Sequence, residues 1–261
     1  MIAIVNQKGG VGKTTTAINL GASLAVAEQR ILVVDIDPQA NASSGLGVRP
    51  SEDLRTIYDV LIGGRPAEEA ILREVHFPYL DLIPSDRDLV GAEIELIETA
   101  DRERVLRRAL DPVRDRYDYV LVDCPPSLGL LTLNTLVAAD SVLIPIQCEF
   151  YALEGLSQLL NTIRLVQKGL NPSLEIEGVL LTMYDRRLNL SRQVADEARE
   201  YFGDKVYQST IPRNVTLAES PSFGQPIVQY DVLSSGAQGY LGLAREVMAR
   251  AAAEPAARSD R

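Results

Sequence analysis

Residues 6–16 read NQKGGVGKTTT, directly after the apolar run Met1–Val5. The stretch is close to the phosphate-binding pattern G-x-x-x-x-G-K-S/T, in which a strand runs into a glycine loop that opens a helix. It departs from that pattern twice. Gln7 stands where the first glycine belongs, and an extra lysine, Lys8, lies upstream of the expected Lys13. Gly9, Gly10 and Gly12, with Val11 among them, let successive backbone N–H groups turn toward an anion, and the dipole of the following helix adds to that field. In such a loop Lys13 bridges the terminal phosphates, Thr14 places its hydroxyl on Mg²⁺, and Thr15 reaches the inner phosphate.

Outward from the loop, short apolar runs alternate with helical patterns. The sequence predicts strands at Ile2–Val5, Ile31–Asp35, Leu80–Pro84, Tyr119–Asp123, Val142–Ile146, Glu177–Met183 and Val206–Ile211. Several are apolar throughout, as strands covered on both faces are. Helix patterns fall at Lys13–Ala27, Ala92–Glu98, Arg102–Leu110, Leu130–Ala138, Leu153–Lys168, Leu190–Phe202 and Ala237–Ala252. This alternation predicts an α/β fold in one domain, residues 1–253, with a mainly parallel β-sheet flanked by helices on both faces. The end, residues 254–261, reads as a flexible tail. The arginines of RERVLRRALDPVRDR are nearly balanced by carboxylates, which marks a solvated, salt-bridged helix.

Composition narrows the function classes. A hydrophobic content of 46% over 261 residues supports a buried core, and a net charge of −10 argues against a protein that coats itself in nucleic acid. No apolar run approaches the roughly 20 residues of a membrane span, and no secretory signal is present, so the expectation is a cytoplasmic protein. Cys124 and Cys148 lie in apolar runs without metal-site spacing and read as buried reduced thiols.

A nucleotide site also needs carboxylates at the ends of neighbouring strands. ILVVDIDPQ ends in Asp35 and Asp37, and YVLVDCPPS ends in Asp123. Beside a phosphate loop the pair makes a Mg–ATP constellation. Asp123 is expected to hold the metal through water, Asp37 to orient the attacking water, and Asp35 to support the metal side. Thr182, Met183, Pro212, Arg213 and Asn214 follow strand ends on the ligand side and are candidates for the adenine border.

KGGVGKTT, DIDPQ, DCPPS and VLIPIQCEFYALEGLSQL together resemble the ParA/Soj-type chromosome or plasmid partitioning ATPases, whose phosphate loop is the deviant Walker A motif. The resemblance continues through GVLLTMYDRRLNLS, IPRNVTLAESPSFGQPI and YLGLAREV, from Met1 to about Ala252. It implies that Lys8 reaches the nucleotide of a second subunit, acting with Lys13 and Asp37 in catalysis and clamping an ATP-dependent homodimer. It further implies slow intrinsic ATP hydrolysis stimulated by a ParB/Spo0J-like centromere-binding protein, non-specific binding of double-stranded DNA, association with the nucleoid, and a side role in replication control. Arg187 stands where the family has a DNA-contacting arginine, and Arg186, Arg192 and Arg199 are expected nearby.

The chain departs from the family's pattern at Thr216, Gln225 and Ser235, positions that are often basic, so a weaker DNA contact is expected. Because the chain opens directly on its first strand, the N-terminal DNA-binding extension of larger plasmid relatives is not expected. Three alternatives share the loop. A MinD-like membrane ATPase needs a bulky, basic amphipathic C-terminal helix, whereas EVMARAAAEPAARSDR is alanine-rich. An iron-protein-like electron carrier needs its cysteines in a cluster setting. A P-loop enzyme for a small substrate or another cargo needs an acceptor pocket.

Overall fold

A computed structural model of the chain describes residues 1–149 and 156–258, without the side chains of 254–258. Its strands are β1 (Ile2–Ile4), β2 (Ile31–Asp35), β3 (Leu80–Ile83), β4 (Tyr119–Asp123), β5 (Ser141–Gln147), β6 (Glu175–Tyr184) and β7 (Val206–Pro212). They form one sheet in the order β3-β2-β4-β1-β5-β6-β7, and all neighbouring strands are parallel. β2 and β4 have the boundaries expected from sequence, and the others differ at their ends by one or two residues.

The helices are α1 (Lys13–Val26), α2 (Asn41–Gly45), α3 (Ile57–Leu61), α4 (Leu89–Glu95), α5 (Val105–Arg114), α6 (Leu130–Ala138), α7 (Leu156–Gly169), α8 (Asn189–Phe202), α9 (Val215–Glu219), α10 (Ile227–Tyr230) and α11 (Ser235–Arg258). The short α2, α3, α9 and α10 carry too few turns to leave a periodic signal. α5 runs beyond the expected Leu110 and through Pro112. Burial of Val113 in the core carries it past a residue that ordinarily ends helices. The expected start of α7 at Leu153 and the last residues of the tail, 259–261, lie outside the described residues.

Side chains alternate across the strands and feed two apolar layers. Ala3, Leu32 and Val34 pack with α3–α8 on one face. Ile2, Ile4, Ile31 and Val33 pack with α1 and α11 on the other. Both faces of this single domain are therefore covered, which is why its central strands read as continuous apolar runs. Three of the arginines around α5 are paired as their sequence suggests. Arg102 meets Glu103, Arg108 meets Asp101, and Arg114 meets both Asp111 and Asp140.

Parallel strands put every carboxyl end on one edge. The loops after β1, β2, β4, β6 and β7, which hold the expected site residues, open on that edge. The chain reverses direction of winding at β1, which lies between β4 and β5. Ligands of doubly wound sheets bind at such a switch point.

Candidate active site

The loop after β1 is shaped by its own backbone. Gly10 and Gly12 have φ of 75° and 92°, left-handed values that a side chain would strain. Asn6 fixes the base by donating Nδ2–H to the Pro145 carbonyl at 2.7 Å and accepting the Lys8 N–H at 3.0 Å. The Thr182 hydroxyl donates to the Val11 carbonyl at 2.8 Å from the end of β6. Lys13 is buried, and its Nζ donates to the Lys8 carbonyl at 3.3 Å. Burial lowers its pKa, with Asp123, Cys124 and Asp37 opposing that shift.

In register, Asp35 lies opposite Asp123 across β2 and β4, one strand from the loop. The two carboxylates are treated differently. Asp35 accepts the Ser43 N–H and hydroxyl at 2.8 and 2.7 Å on Oδ2, and the Asp37 N–H at 3.2 Å on Oδ1. Burial still pushes its pKa up to about 6, because those hydrogen bonds offset the loss of water only in part. Both oxygens of Asp123 are buried with no hydrogen-bond partner among the described residues. Thr14 and the charge of Lys13 favour its charged form. Burial, then the charge of Asp35, nonetheless drives its pKa well upward.

A buried carboxylate without donors costs free energy unless a cation meets it. Asp123, adjoining Thr14 and Lys13, fits Mg²⁺ bound to a phosphate. Among the described residues no three acidic, histidine or cysteine side chains gather into a cage. That suits a Mg²⁺ held largely by phosphate oxygens and water.

Residues 1–176 match the family described as AAA_31, AAA domain. The chain is 58% identical over 250 residues to the chromosome partitioning protein ParA of Myxococcus xanthus, covering 96% of this chain and 88% of that one. It is 59% identical over 249 residues to the sporulation initiation inhibitor protein Soj of Bacillus subtilis, covering 95% and 98%. The chain belongs to the ParA/Soj family of chromosome partitioning ATPases. Its fold also matches the crystal structure of cobyrinic acid a,c-diamide synthase from Mycobacterium smegmatis with bound ATP analog and magnesium, at 39% identity and a TM-score of 0.83, covering 95% and 93%.

The remaining expected residues of this ParA/Soj chain fall into two groups. Thr182 is buried beneath the loop, where its hydroxyl is spent on Val11. Asn214 caps α9 by accepting the Leu217 N–H at 2.7 Å and donates to the Ser235 hydroxyl at 2.9 Å. Both side chains are committed to holding the loop and the β7 turn. Met183 has φ of 50°, a left-handed value rare for a non-glycine residue, at the break in strand register between Thr182 and Tyr184 near the end of β6. Removing the Thr182 hydroxyl in Thr182→Val leaves the Val11 carbonyl unbonded at about 1–3 kcal/mol. The expected result is a lower melting temperature together with weaker nucleotide binding, read by thermal denaturation with and without Mg–ATP.

Pro212 and Arg213 share a cleft of about 610 Å³ with Tyr184, Arg186 and Arg187. Adenine-border and DNA candidates therefore line one hollow. Arg187 forms a two-pronged pair with Asp185, at 2.9 and 2.7 Å, which holds that carboxyl down at about 2. Arg213 lies 3.2 Å from Glu149, Arg192 bonds Asn189, and Arg199 lies 3.5 Å from Asp196. Cys124 and Cys148 are buried free thiols, and burial pushes the Cys148 thiol up to about 12. They are packing residues.

Sequence reasoning missed Ser43, Ser85, Asn6 and the contact between Thr16 and Tyr240, whose hydroxyls meet at 3.1 Å. Each acts through hydrogen bonds made by its polar groups, and such pairings have no periodic or motif signal.

Proposed function

We propose that the chain is an ATP-driven dimerising switch that positions chromosomal or plasmid DNA. The unpartnered Asp123 carboxylate beside Thr14 and Lys13 carries the nucleotide part of this reading. Lys13 binds the terminal phosphates, and the N–H groups of Gly9–Thr15 hold the polyphosphate at the start of α1. Bound Mg²⁺ supplies charge neutralisation on the phosphates, and Thr14 and Asp123 are the residues that would hold it. Asp37 orients the attacking water. Lys8 reaches the nucleotide of a partner copy, so ATP favours the dimer to the extent that it satisfies that lysine. A ParB/Spo0J-like protein stimulates hydrolysis and releases the dimer.

The 58–59% identity to partitioning proteins supports DNA as cargo. Arg186, Arg187 and Arg192 are the proposed phosphate contacts, with the protein on the nucleoid. Arg187 is already paired, so DNA phosphates must displace Asp185. Fewer phosphate contacts mean a shallower dependence on salt. Among the described residues no helix is long and apolar enough to cross a membrane, and the alanine-rich α11 offers little to a membrane surface.

Asp37→Ala protein tests this reading. Without the water-orienting carboxylate, hydrolysis stops and the ATP dimer persists. Its binding to non-specific duplex DNA is expected with ATP, absent with ADP, and weakened steeply by salt. No ATP-dependent binding at low salt, with the dimer intact, would remove DNA as the cargo. The likeness to a diamide synthase gives the second reading, an amide-forming enzyme. Turnover stimulated by a small carboxylate and an amine donor, and not by DNA with a partner protein, would favour it.

A further inference from the structure

The end of β2 is held by a closed ring of hydrogen bonds that no nucleotide-binding motif includes. Ser43 donates its N–H and hydroxyl to Asp35 Oδ2. Its Oγ accepts the Ser85 N–H at 2.9 Å. The Ser85 hydroxyl donates to the Asp37 carbonyl at 2.8 Å, and the Asp37 N–H returns to Asp35 Oδ1 at 3.2 Å. Every member is buried, with exposures of 0% for Asp35, 2% for Ser85, 3% for Ser43 and 6% for Asp37.

The ring grips Asp37 on both sides of its Cα. Its N–H is fixed by Asp35 and its carbonyl by Ser85, which sits on the turn after β3. With both flanking peptide planes held, the Cα–Cβ bond has one direction, and the Gln39 N–H on Asp37 Oδ1 at 2.9 Å sets the turn of the carboxylate about it. The Asp37 carbonyl also accepts the Ala40 N–H at 2.9 Å, but Ala40 belongs to the same loop and moves with it. Ser85 is the bond that references Asp37 to a neighbouring strand.

We propose that Ser85 and Ser43 are positioning residues that aim the Asp37 carboxylate at the attacking water. The proposal rests on the water-orienting role given to Asp37 above. Ser43 does double service, because its hydroxyl also satisfies a buried carboxylate. Ser85→Ala is the cleaner probe. It removes one donor, while the Asp37 carbonyl keeps Ala40 and the Ser43 hydroxyl keeps the Ser85 N–H.

The test is single-turnover ATP hydrolysis by Ser85→Ala beside binding of a fluorescent ATP analogue with Mg²⁺, a thermal melt, and the lifetime of the ATP dimer. Misaiming a reacting group by about 1 Å costs about 100-fold in rate, so a fall of about 10- to 100-fold is expected. Nucleotide affinity should stay within about 3-fold, a range too small to reflect loss of a hydrogen bond to a charged group. The dimer should live longer in proportion to the slower hydrolysis, and Ser85→Thr, which restores the hydroxyl, should recover most of the rate. Unchanged hydrolysis in Ser85→Ala overturns the proposal. So does a parallel loss of affinity, melting temperature and rate, which marks a purely structural serine. Asp37→Ala is run alongside. If it hydrolyses ATP at the wild-type rate, the water-orienting reading has failed and takes the ring's function with it. If it is inactive while Ser85→Ala is normal, only the ring is refuted.

Discussion

Lys8→Ala protein is expected to bind Mg–ATP nearly as wild type does, yet to form no ATP-dependent dimer and to lose about 1,000-fold in stimulated hydrolysis, the scale of losing a cation supplied in trans. The backbone of Lys8 explains why binding survives. Its N–H goes to Asn6 and its carbonyl takes Lys13 Nζ, and alanine keeps both bonds. The side chain is not needed to shape the loop. Lys13→Ala is the contrasting control, because Lys13 is the buried cation of the loop and its loss is expected to abolish nucleotide binding. Size-exclusion chromatography with ATP, paired with partner-stimulated turnover, gives the readout. A normal ATP-dependent dimer of Lys8→Ala overturns the role in trans.

Asp123→Asn is expected to change stability and activity in opposite directions. Without nucleotide, the substitution removes a buried charge whose oxygens have no hydrogen-bond partner among the described residues and whose attraction to Lys13 is outweighed by burial. A gain of about 1–2 kcal/mol, or about 2–8 °C in melting temperature, is the expected size. The pH dependence has the matching sign. Asp123 has a folded pKa raised above its unfolded value, so its folded form binds the proton more tightly. Wild-type stability therefore carries a contribution from Asp123 that is greatest in acid and declines as pH rises from the ordinary carboxylate range near 4. That decline should be shallower in the variant, with Asp35, at about 6, accounting for what remains. With Mg²⁺ and ATP the order reverses. Wild type gains stability from ligand binding, whereas the variant gains little and hydrolyses at least about 100-fold more slowly. Melting curves at pH 5 and pH 8, with and without Mg–ATP, contain the whole prediction. A variant less stable than wild type without nucleotide would mean that Asp123 has a partner the charge argument overlooks.

The central strands were legible because burial on both faces leaves runs such as Ile31–Val34 without a polar position. The loop was legible because phosphate binding demands glycines at fixed spacing. Asp35 and Asp123 could be found as strand ends and given different roles, but the hydrogen bonds that separate them could not be read. Their difference lies in Ser43, eight residues after Asp35 and on another element, and nothing in the order of residues says that its hydroxyl turns back. Thr182 and Asn214 were expected at the ligand from their strand-end positions, and the structure shows their hydrogen bonds turned inward to the loop and the α9 cap. Strand-end position locates the edge on which a residue sits, but not the direction its polar group takes. The arginines show the same limit, since a sequence displays the charge of Arg187 and hides its pairing with Asp185.

The contact between Thr16 and Tyr240 bears on how the chain is made. β1 leaves the ribosome well before its neighbours β4 and β5, which are encoded more than a hundred residues later. The helix behind the phosphate loop stays uncovered longer still, until α11 closes the same apolar layer. At about 5–20 residues per second the wait for Tyr240 is roughly 12–50 s. During synthesis β1 and α1 therefore remain without their native covering. The nucleotide pocket is among the last parts to be finished, and a nascent chain stalled before Tyr240 would expose that layer without yet having a completed switch.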